Sequence, residues 1–151
     1  PTVKSFQLFL ALTSKWAVEM VILRKQRRKK LEILLTAYDG GEDQFKGKLH
    51  IPGGYYFLDE NSYEEIVWRL SETELGLMVR PMEAIGLPYF WKPYEHPNGR
   101  PLSIFTYCRL VGEIKETEKC RFFSIFDLPV NMVQIHKEWI EQNAPLLISK
   151  Y

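Results

Sequence analysis

The residues best suited to chemistry lie between His50 and Leu77, where Pro52-Gly53-Gly54 ends a short apolar strand and a helix signal follows within a few residues. Two consecutive glycines permit positive φ and leave the backbone uncovered, so carbonyls and amides can face a ligand without intervening side chains. Read alone, such a pair before a helix is more simply an ordinary tight turn. The helix itself is well marked: Ser62 and Glu65 have the spacing of a capping box, and neither glycine nor proline recurs until Gly76, which supplies the stop. Along that helix Glu65, Arg69 and Glu72 share a face, whose simpler reading is an exposed ion-paired surface, while Glu74 lies apart from it.

Further candidates sit outside this unit. The connection from Tyr89 to Arg100 carries Trp91, Tyr94 and Arg100 among its residues, a mixture of rings and cations that suits stacking on a nucleobase with charge contacts to phosphate. The competing reading is that these rings cover a sheet edge. His96 is the one histidine of that loop and its best acid/base candidate, against the plainer reading of a solvated side chain. Tyr55 and Tyr56 follow the glycines and either line a pocket or simply pack. His50 alternates with Leu49 and Ile51, and nothing local decides which way it faces. His136, among charged residues on the last predicted helix, is expected at the surface.

The stretch from Pro52 to Leu77 resembles the box of the Nudix superfamily, G-x5-E-x7-R-E-U-x-E-E-x-G-U with U aliphatic. Gly54 and Glu60 have its first spacing. Arg69, Glu74, Gly76 and Leu77 match its second half in register, with one extra residue between Glu60 and Arg69. In outline the resemblance runs from Val18 to Gln142, because Arg121-Phe122-Phe123-Ser124 followed by Asp127-Leu128-Pro129 looks like the family's aromatic strand and turn before its last helix. Where the family sets several carboxylates on one helical face to bind magnesium, this chain has Leu70 and Thr73 and keeps Glu74. Arg69-Leu70-Ser71 followed by Glu74-Leu75-Gly76-Leu77 is similar to the variant box of the GDP-mannose mannosyl hydrolase branch, which also keeps only the last Glu.

That resemblance implies an α/β (α+β) chain folded as a Nudix-type α/β/α sandwich, with a mixed central sheet between helices. It implies a metal-dependent hydrolase of a nucleoside diphosphate linked to another moiety, a nucleotide-sugar or similar. The alternative it leaves open is a catalytically impaired nucleotide-binding or regulatory module. Mg2+ or Mn2+ would be held by the Gly53 carbonyl, Glu74 and a side chain from the loop before the Arg121 strand, with Glu116 or Glu118 as candidates. The catalytic set would be Glu74, with Glu118 or His96 as base, since Leu102 to Glu118 contains no histidine to match that branch's own. Tyr55, Tyr56, Trp91, Tyr94 and Arg100 would contact substrate. Gly54, Glu60, Arg69 and Gly76 would be structural, with Glu60 and Arg69 paired to fix the loop against the helix.

Several elements must position these residues. Val18–Leu23 and Leu31–Ala37 outline a hairpin around the basic tract 24–30, and Leu49–Ile51 reads as a short strand after the loop 38–48. Further strands are expected over Ala84–Phe90, Leu102–Val111 and Arg121–Phe126, and a last helix over Met132–Gln142, ended before Pro145. Residues 1–16 read as an N-terminal extension with a short helix over Ser5–Trp16.

Length and composition bound the rest. A chain of 151 residues, 46% hydrophobic and 26% charged, suits one domain with a packed core. A net charge of +1 gives no overall bias toward nucleic acid or membrane. The basic tract reads as a solvated turn more readily than as a polyanion site. Cys108 and Cys120 are expected on neighbouring strands as reduced thiols. The expected partner is a small-molecule nucleoside diphosphate derivative, with a homodimer possible and a cytoplasmic location.

Overall fold

The computed structural model describes residues 15–26, 30–39, 44–57, 59–92, 95–96 and 100–150. All but the end of the predicted Ser5–Trp16 helix lies outside them, as does Tyr94, and Trp16 opens a strand.

The chain runs β1 (Trp16–Lys25), β2 (Leu31–Ala37), β3 (Leu49–His50), β4 (Gly53–Tyr55), α1 (Tyr63–Leu75), β5 (Val79–Ala84), β6 (Tyr89–Phe90), β7 (Leu102–Leu110), β8 (Cys120–Ser124) and α2 (Gln134–Ser149). β1 is the hub of a mixed sheet. Its first half pairs antiparallel with β4, its second half pairs antiparallel with β2, and its other edge runs parallel to β7. β5 and β6 then pair with β7, while β3 and β8 pair with β2. Side chains of a strand alternate between faces, and β1 divides accordingly. Val21 and Leu23 join Ile33, Phe105, Trp139 and Ile140 in the core under α2. Val18, Met20 and Ile22 join Leu34, Val67 and Leu70 in the core under α1. The result is the α/β/α sandwich expected, with a mixed sheet between helices.

α1 begins and ends where its capping residues say. Ser62 Oγ accepts from the Glu65 amide at 3.2 Å, Glu65 Oε2 accepts from the Asn61 amide at 2.8 Å, and Gly76 closes the helix at φ 65°.

Four expectations are corrected. The strand predicted over Ala84–Phe90 is two strands, β5 and β6, parted at Gly86, whose φ of 68° breaks an extended run. α2 continues through Pro145 to Ser149. A proline inside a helix forfeits one hydrogen bond and costs about 3 kcal/mol or more, but Leu147 beyond it is fully buried against the sheet, so packing outweighs the break. Cys108 and Cys120 lie on β7 and β8, which β1 and β2 separate, and both are free thiols. His136 is buried, not at the surface. No helix among the described residues is long and apolar enough to cross a membrane.

The buried face of α2 predicts unequal mutational costs. Ile140→Ala, at a fully buried position, is expected to lower the unfolding free energy by about 2–5 kcal/mol in urea titrations. Ile148→Ala, at a position 48% exposed, is expected to stay within about 0.5 kcal/mol. Equal losses would contradict the assigned face.

Candidate functional site

The two glycines of the loop have separate tasks. In the antiparallel pairing of β4 with β1, Gly53 lies opposite Glu19 and Gly54 opposite Val18. Met20 N–H donates to Pro52 O at 2.7 Å and Tyr56 N–H to Trp16 O at 3.1 Å. Bonded and non-bonded pairs alternate along such a ladder, so Gly53 is a non-bonded position and turns its carbonyl away from β1, available to a ligand. At such a pair the side chains approach closely, and a Cβ on Gly53 would run into the Val18 carbonyl and the Glu19 carboxylate. Gly54 faces the other layer, where a Cβ would press on Leu70 of α1. One glycine lets β4 lie against Glu19 and the other lets the helix lie against β4.

Glu60 and Arg69 meet between loop and helix. Arg69 Nε donates to Glu60 Oε1 at 2.6 Å, and its Nη2 donates to Tyr55 O at 2.7 Å, so the guanidinium ties α1 to β4. Glu60 Oε2 also accepts from the Phe57 amide at 2.7 Å. The Arg69 hydrogen bond is the main reason that the Glu60 carboxyl titrates below its usual range.

Beside Gly53 and Gly54 opens a cavity of about 100 Å³. Tyr38, Phe45, Tyr55 and Trp91 form its aromatic walls, and Glu19, His50, His96, Ser103 and His136 are its polar groups. Glu19 sits at its floor, only 6% exposed. Ser103 Oγ donates to Glu19 Oε1 at 2.9 Å, and Trp91 Nε1 donates to Ser103 Oγ at 2.9 Å, a chain that holds the carboxyl in place. Burial, reinforced by the charge of Glu74 and opposed by the Ser103 hydrogen bond, pushes the Glu19 carboxyl up to about 7. The same burial lowers His50 to about 4 and holds His136 well below its usual value, so both are neutral imidazoles. The Ile51 amide donates to His136 Nδ1 at 3.0 Å, which leaves the ring proton on Nε2, facing Glu19 Oε1 at 3.8 Å.

The structure brings Gly53, Gly54, Tyr55, Trp91 and His96 together around this cavity. His96 stands 3.2 Å from the Tyr55 hydroxyl through Nδ1 and packs edge-on to Trp91. Trp91 is itself buried. Tyr56 lies elsewhere, in a second cavity with Trp16, Ser62 and Tyr63, and Arg100 is exposed outside the cavity lining. Glu74 is exposed as a residue, yet the protein packed around its carboxyl raises its pKa, against the pull of Arg69. Its field reaches Glu19. Glu116 has other partners: Oε1 accepts from Arg24 at 2.6 Å and Oε2 from the Phe122 amide at 3.0 Å. Glu118 is exposed in the turn between Thr117 and Cys120. Sequence reasoning missed Glu19, Ser103 and His136; the one available signal for Glu19 was a lone acid in the otherwise apolar run Ala17–Leu23.

No group of three or more acidic, histidine or cysteine side chains among the described residues converges on one point. Magnesium, however, is commonly held by one or two carboxylates together with substrate phosphates and water. Glu74 and the outward-turned Gly53 carbonyl are oxygen donors of the kind such an ion takes, and they do not make a prebuilt cluster.

No sequence profile of a known protein family matches the chain, and no curated protein matches it. Solved structures do. An ADP-ribose pyrophosphatase from Streptococcus suis is 26% identical over 91% of this chain and 92% of its own, with a TM-score of 0.60. The Nudix domain of NrtR from Shewanella oneidensis, solved with ADP ribose, matches 97% of this chain and 99% of its own at 15% identity and a TM-score of 0.62. The Ap4A hydrolase of C. elegans matches 91% and 97% at 14% identity and 0.62.

The Glu19 proton makes stability depend on pH. The folded state keeps at about 7 a proton that the unfolded chain releases near 4.5, so this contribution is complete below about 4.5 and is lost as pH rises through about 7. His50 acts oppositely, its contribution being lost as pH falls from 6.5 through about 4. In urea midpoints measured against pH, Glu19→Gln is expected to abolish the loss between 4.5 and 7 and keep the acid-side loss; a profile parallel to that of the parent chain would place the proton elsewhere. Gly53→Ala is expected to destabilise by about 1–3 kcal/mol, read in the same titrations, because the colliding atoms include backbone.

Fold, box residues and neighbours agree: this is a chain of the Nudix superfamily, a Nudix-type hydrolase.

Proposed function

We propose that the chain hydrolyses a nucleoside diphosphate linked to a second group, with ADP-ribose or a nucleotide-sugar as the substrate class. The observation that carries this reading is the arrangement around Gly53: a carbonyl turned away from β1, an aromatic cavity with a polar floor beside it, and Glu74 near enough for its charge to act on Glu19. Such a site suits a molecule with an anionic middle and a flat end. The diphosphate would lie along the glycine loop and the nucleoside would enter the cavity between Tyr55, Phe45 and Trp91. A divalent cation held by Glu74 and the Gly53 carbonyl would offset phosphate charge and polarise the phosphorus-bound oxygens. Water then attacks one phosphorus, the bridging P–O bond breaks, and the two phosphate products leave. Arg69 and Glu60 would keep β4 and α1 in register during this step, and His96, beside the Tyr55 hydroxyl, would move a proton. ADP ribose bound to the NrtR domain and the name of the Streptococcus suis neighbour favour an adenosine diphosphate derivative within the class. The likeness of the box to the GDP-mannose mannosyl hydrolase branch keeps sugar-linked substrates in it.

A second reading, a nucleotide-binding module without turnover, is favoured by one observation: α1 presents Leu70 and Thr73 where the family sets carboxylates, and Glu116 is held by Arg24.

The test is product formation from ADP-ribose, nucleotide-sugars, dinucleotides and nucleoside triphosphates with Mg2+ or Mn2+. Turnover on a diphosphate-linked substrate is expected, abolished by chelation and reduced about hundredfold or more by Glu74→Gln, the several kcal/mol that an ion contributes to such a transition state. Ligand-induced thermal stabilisation without product would establish the binding module, and turnover equal to that of Glu74→Gln would remove the hydrolase.

A further inference from the structure

Two polar side chains at the cavity floor, Glu19 and His136, have no task in the hydrolysis described above. Each is more than nine-tenths buried, at 6% and 4% exposure. Glu19 Oε1 is held by Ser103, but Oε2 has no hydrogen bond among the described residues. His136 Nδ1 is held by the Ile51 amide, and its Nε2–H has none either, the Glu19 oxygen at 3.8 Å being out of hydrogen-bond range. Both line the same cavity. Their free atoms are open to whatever enters that cavity, so each offers it an unused hydrogen-bonding position.

Their chemistry describes such an occupant. An acceptor, Glu19 Oε2, stands beside a donor, His136 Nε2–H, between aromatic walls. The complementary edge has an amino group beside a ring nitrogen. Adenine presents such an edge on the side away from the ribose, whereas guanine presents two acceptors, O6 and N7, on one such side and has its amino group beside a ring acceptor only at N2 and N3, next to the ribose. Cytosine also pairs an amino group with a ring nitrogen, but a single ring covers less of the walls formed by Phe45, Tyr55 and Trp91.

We infer that Glu19 and His136 are the specificity-determining residues of this site and that they read a 6-aminopurine ring, its amino group donating to Glu19 Oε2 and its ring nitrogen accepting from His136 Nε2–H. This rests on the proposed function and names the base of its substrate. Ser103 is a positioning residue, since it acts by holding the Glu19 carboxyl, while Trp91 both donates to Ser103 and forms a wall of the cavity.

The inference is tested by calorimetric titration of the intact chain at pH 8 with AMP, purine riboside 5′-monophosphate, GMP and CMP, and separately with inorganic pyrophosphate plus Mg2+. AMP is expected to bind at least about tenfold more tightly than the analogue lacking the amino group and than GMP, the size of one hydrogen bond to a charged acceptor. Glu19→Met is expected to erase the difference between AMP and its amino-free analogue. Because the comparison of ligands uses the unaltered chain, it stands even if Glu19→Met fails to fold. Equal affinity for AMP and the analogue, or CMP binding as tightly as AMP, overturns the assignment; if pyrophosphate still binds, the hydrolase reading survives that failure. Binding of neither nucleotides nor pyrophosphate overturns both.

Discussion

The contact on which the site depends is the close approach of β4 to β1, where Gly53 lies opposite Glu19 in a non-bonded antiparallel pair. A side chain at Gly53 would strike both the Val18 carbonyl and the Glu19 carboxylate. Without one, the strand lies flat against β1, the Gly53 carbonyl turns outward, and the Glu19 side chain occupies the space below. The adjacent Gly54 admits Leu70, so α1 docks on the opposite face at the same point along the sheet. Arg69 then bonds to both Glu60 and the Tyr55 carbonyl, which locks loop, strand and helix together. Glu74 is brought near the glycine loop by this packing, because it lies one turn beyond Leu70 on the same helix.

The electrostatics of the cavity follow from the same geometry. Glu19, His50 and His136 are all buried around one small space, and among the described residues no guanidinium or ammonium group lines it. Charged forms are therefore disfavoured: the acid rises and the imidazoles fall. What holds the polar atoms in place is a chain of neutral donors, Trp91 to Ser103 to Glu19, together with the Ile51 amide on His136. In the proposed function such a floor would orient a ligand through hydrogen bonds in a low-dielectric space, where they are stronger than in water. The anionic part of a substrate would be served separately, at the outward-turned Gly53 carbonyl and Glu74. The site thus divides into a polar mouth and an aromatic interior, on either side of one residue pair.

Several carboxylates elsewhere in the chain are committed to architecture. Glu116 bridges Arg24 and the Phe122 amide, tying the segment before β8 to the β1–β2 hairpin, and Glu32 accepts a second fork of the same arginine. Glu60 serves Arg69. Glu19 lies opposite Gly53, and the charge of Glu74 reaches it. A cation here would therefore lean on oxygen atoms of the substrate for much of its coordination, as magnesium ordinarily does.

Sequence alone determined the elements whose causes are local. The capping box at Ser62 and the glycine at position 76 bound α1 because the hydrogen bonds they make are to neighbours a turn away. Alternation and turn residues located the β1–β2 hairpin, β7 and β8, and the box spacing marked Gly53, Gly54, Glu60, Arg69 and Glu74 as one unit. Tertiary structure decided whatever depends on residues far apart in the chain. Glu19 becomes a floor group only because β7 brings Ser103 beside it, a contact between residues 84 apart, and His136 is buried only because α2 carries it under Ile51, across 85 residues. Amphipathic spacing records that one face of a helix is apolar, but not which polar residue at the edge of that face will meet a backbone amide. Pro145 stays inside α2 for a related reason, since a local penalty yields to burial of Leu147 in a core that no neighbouring residue reveals.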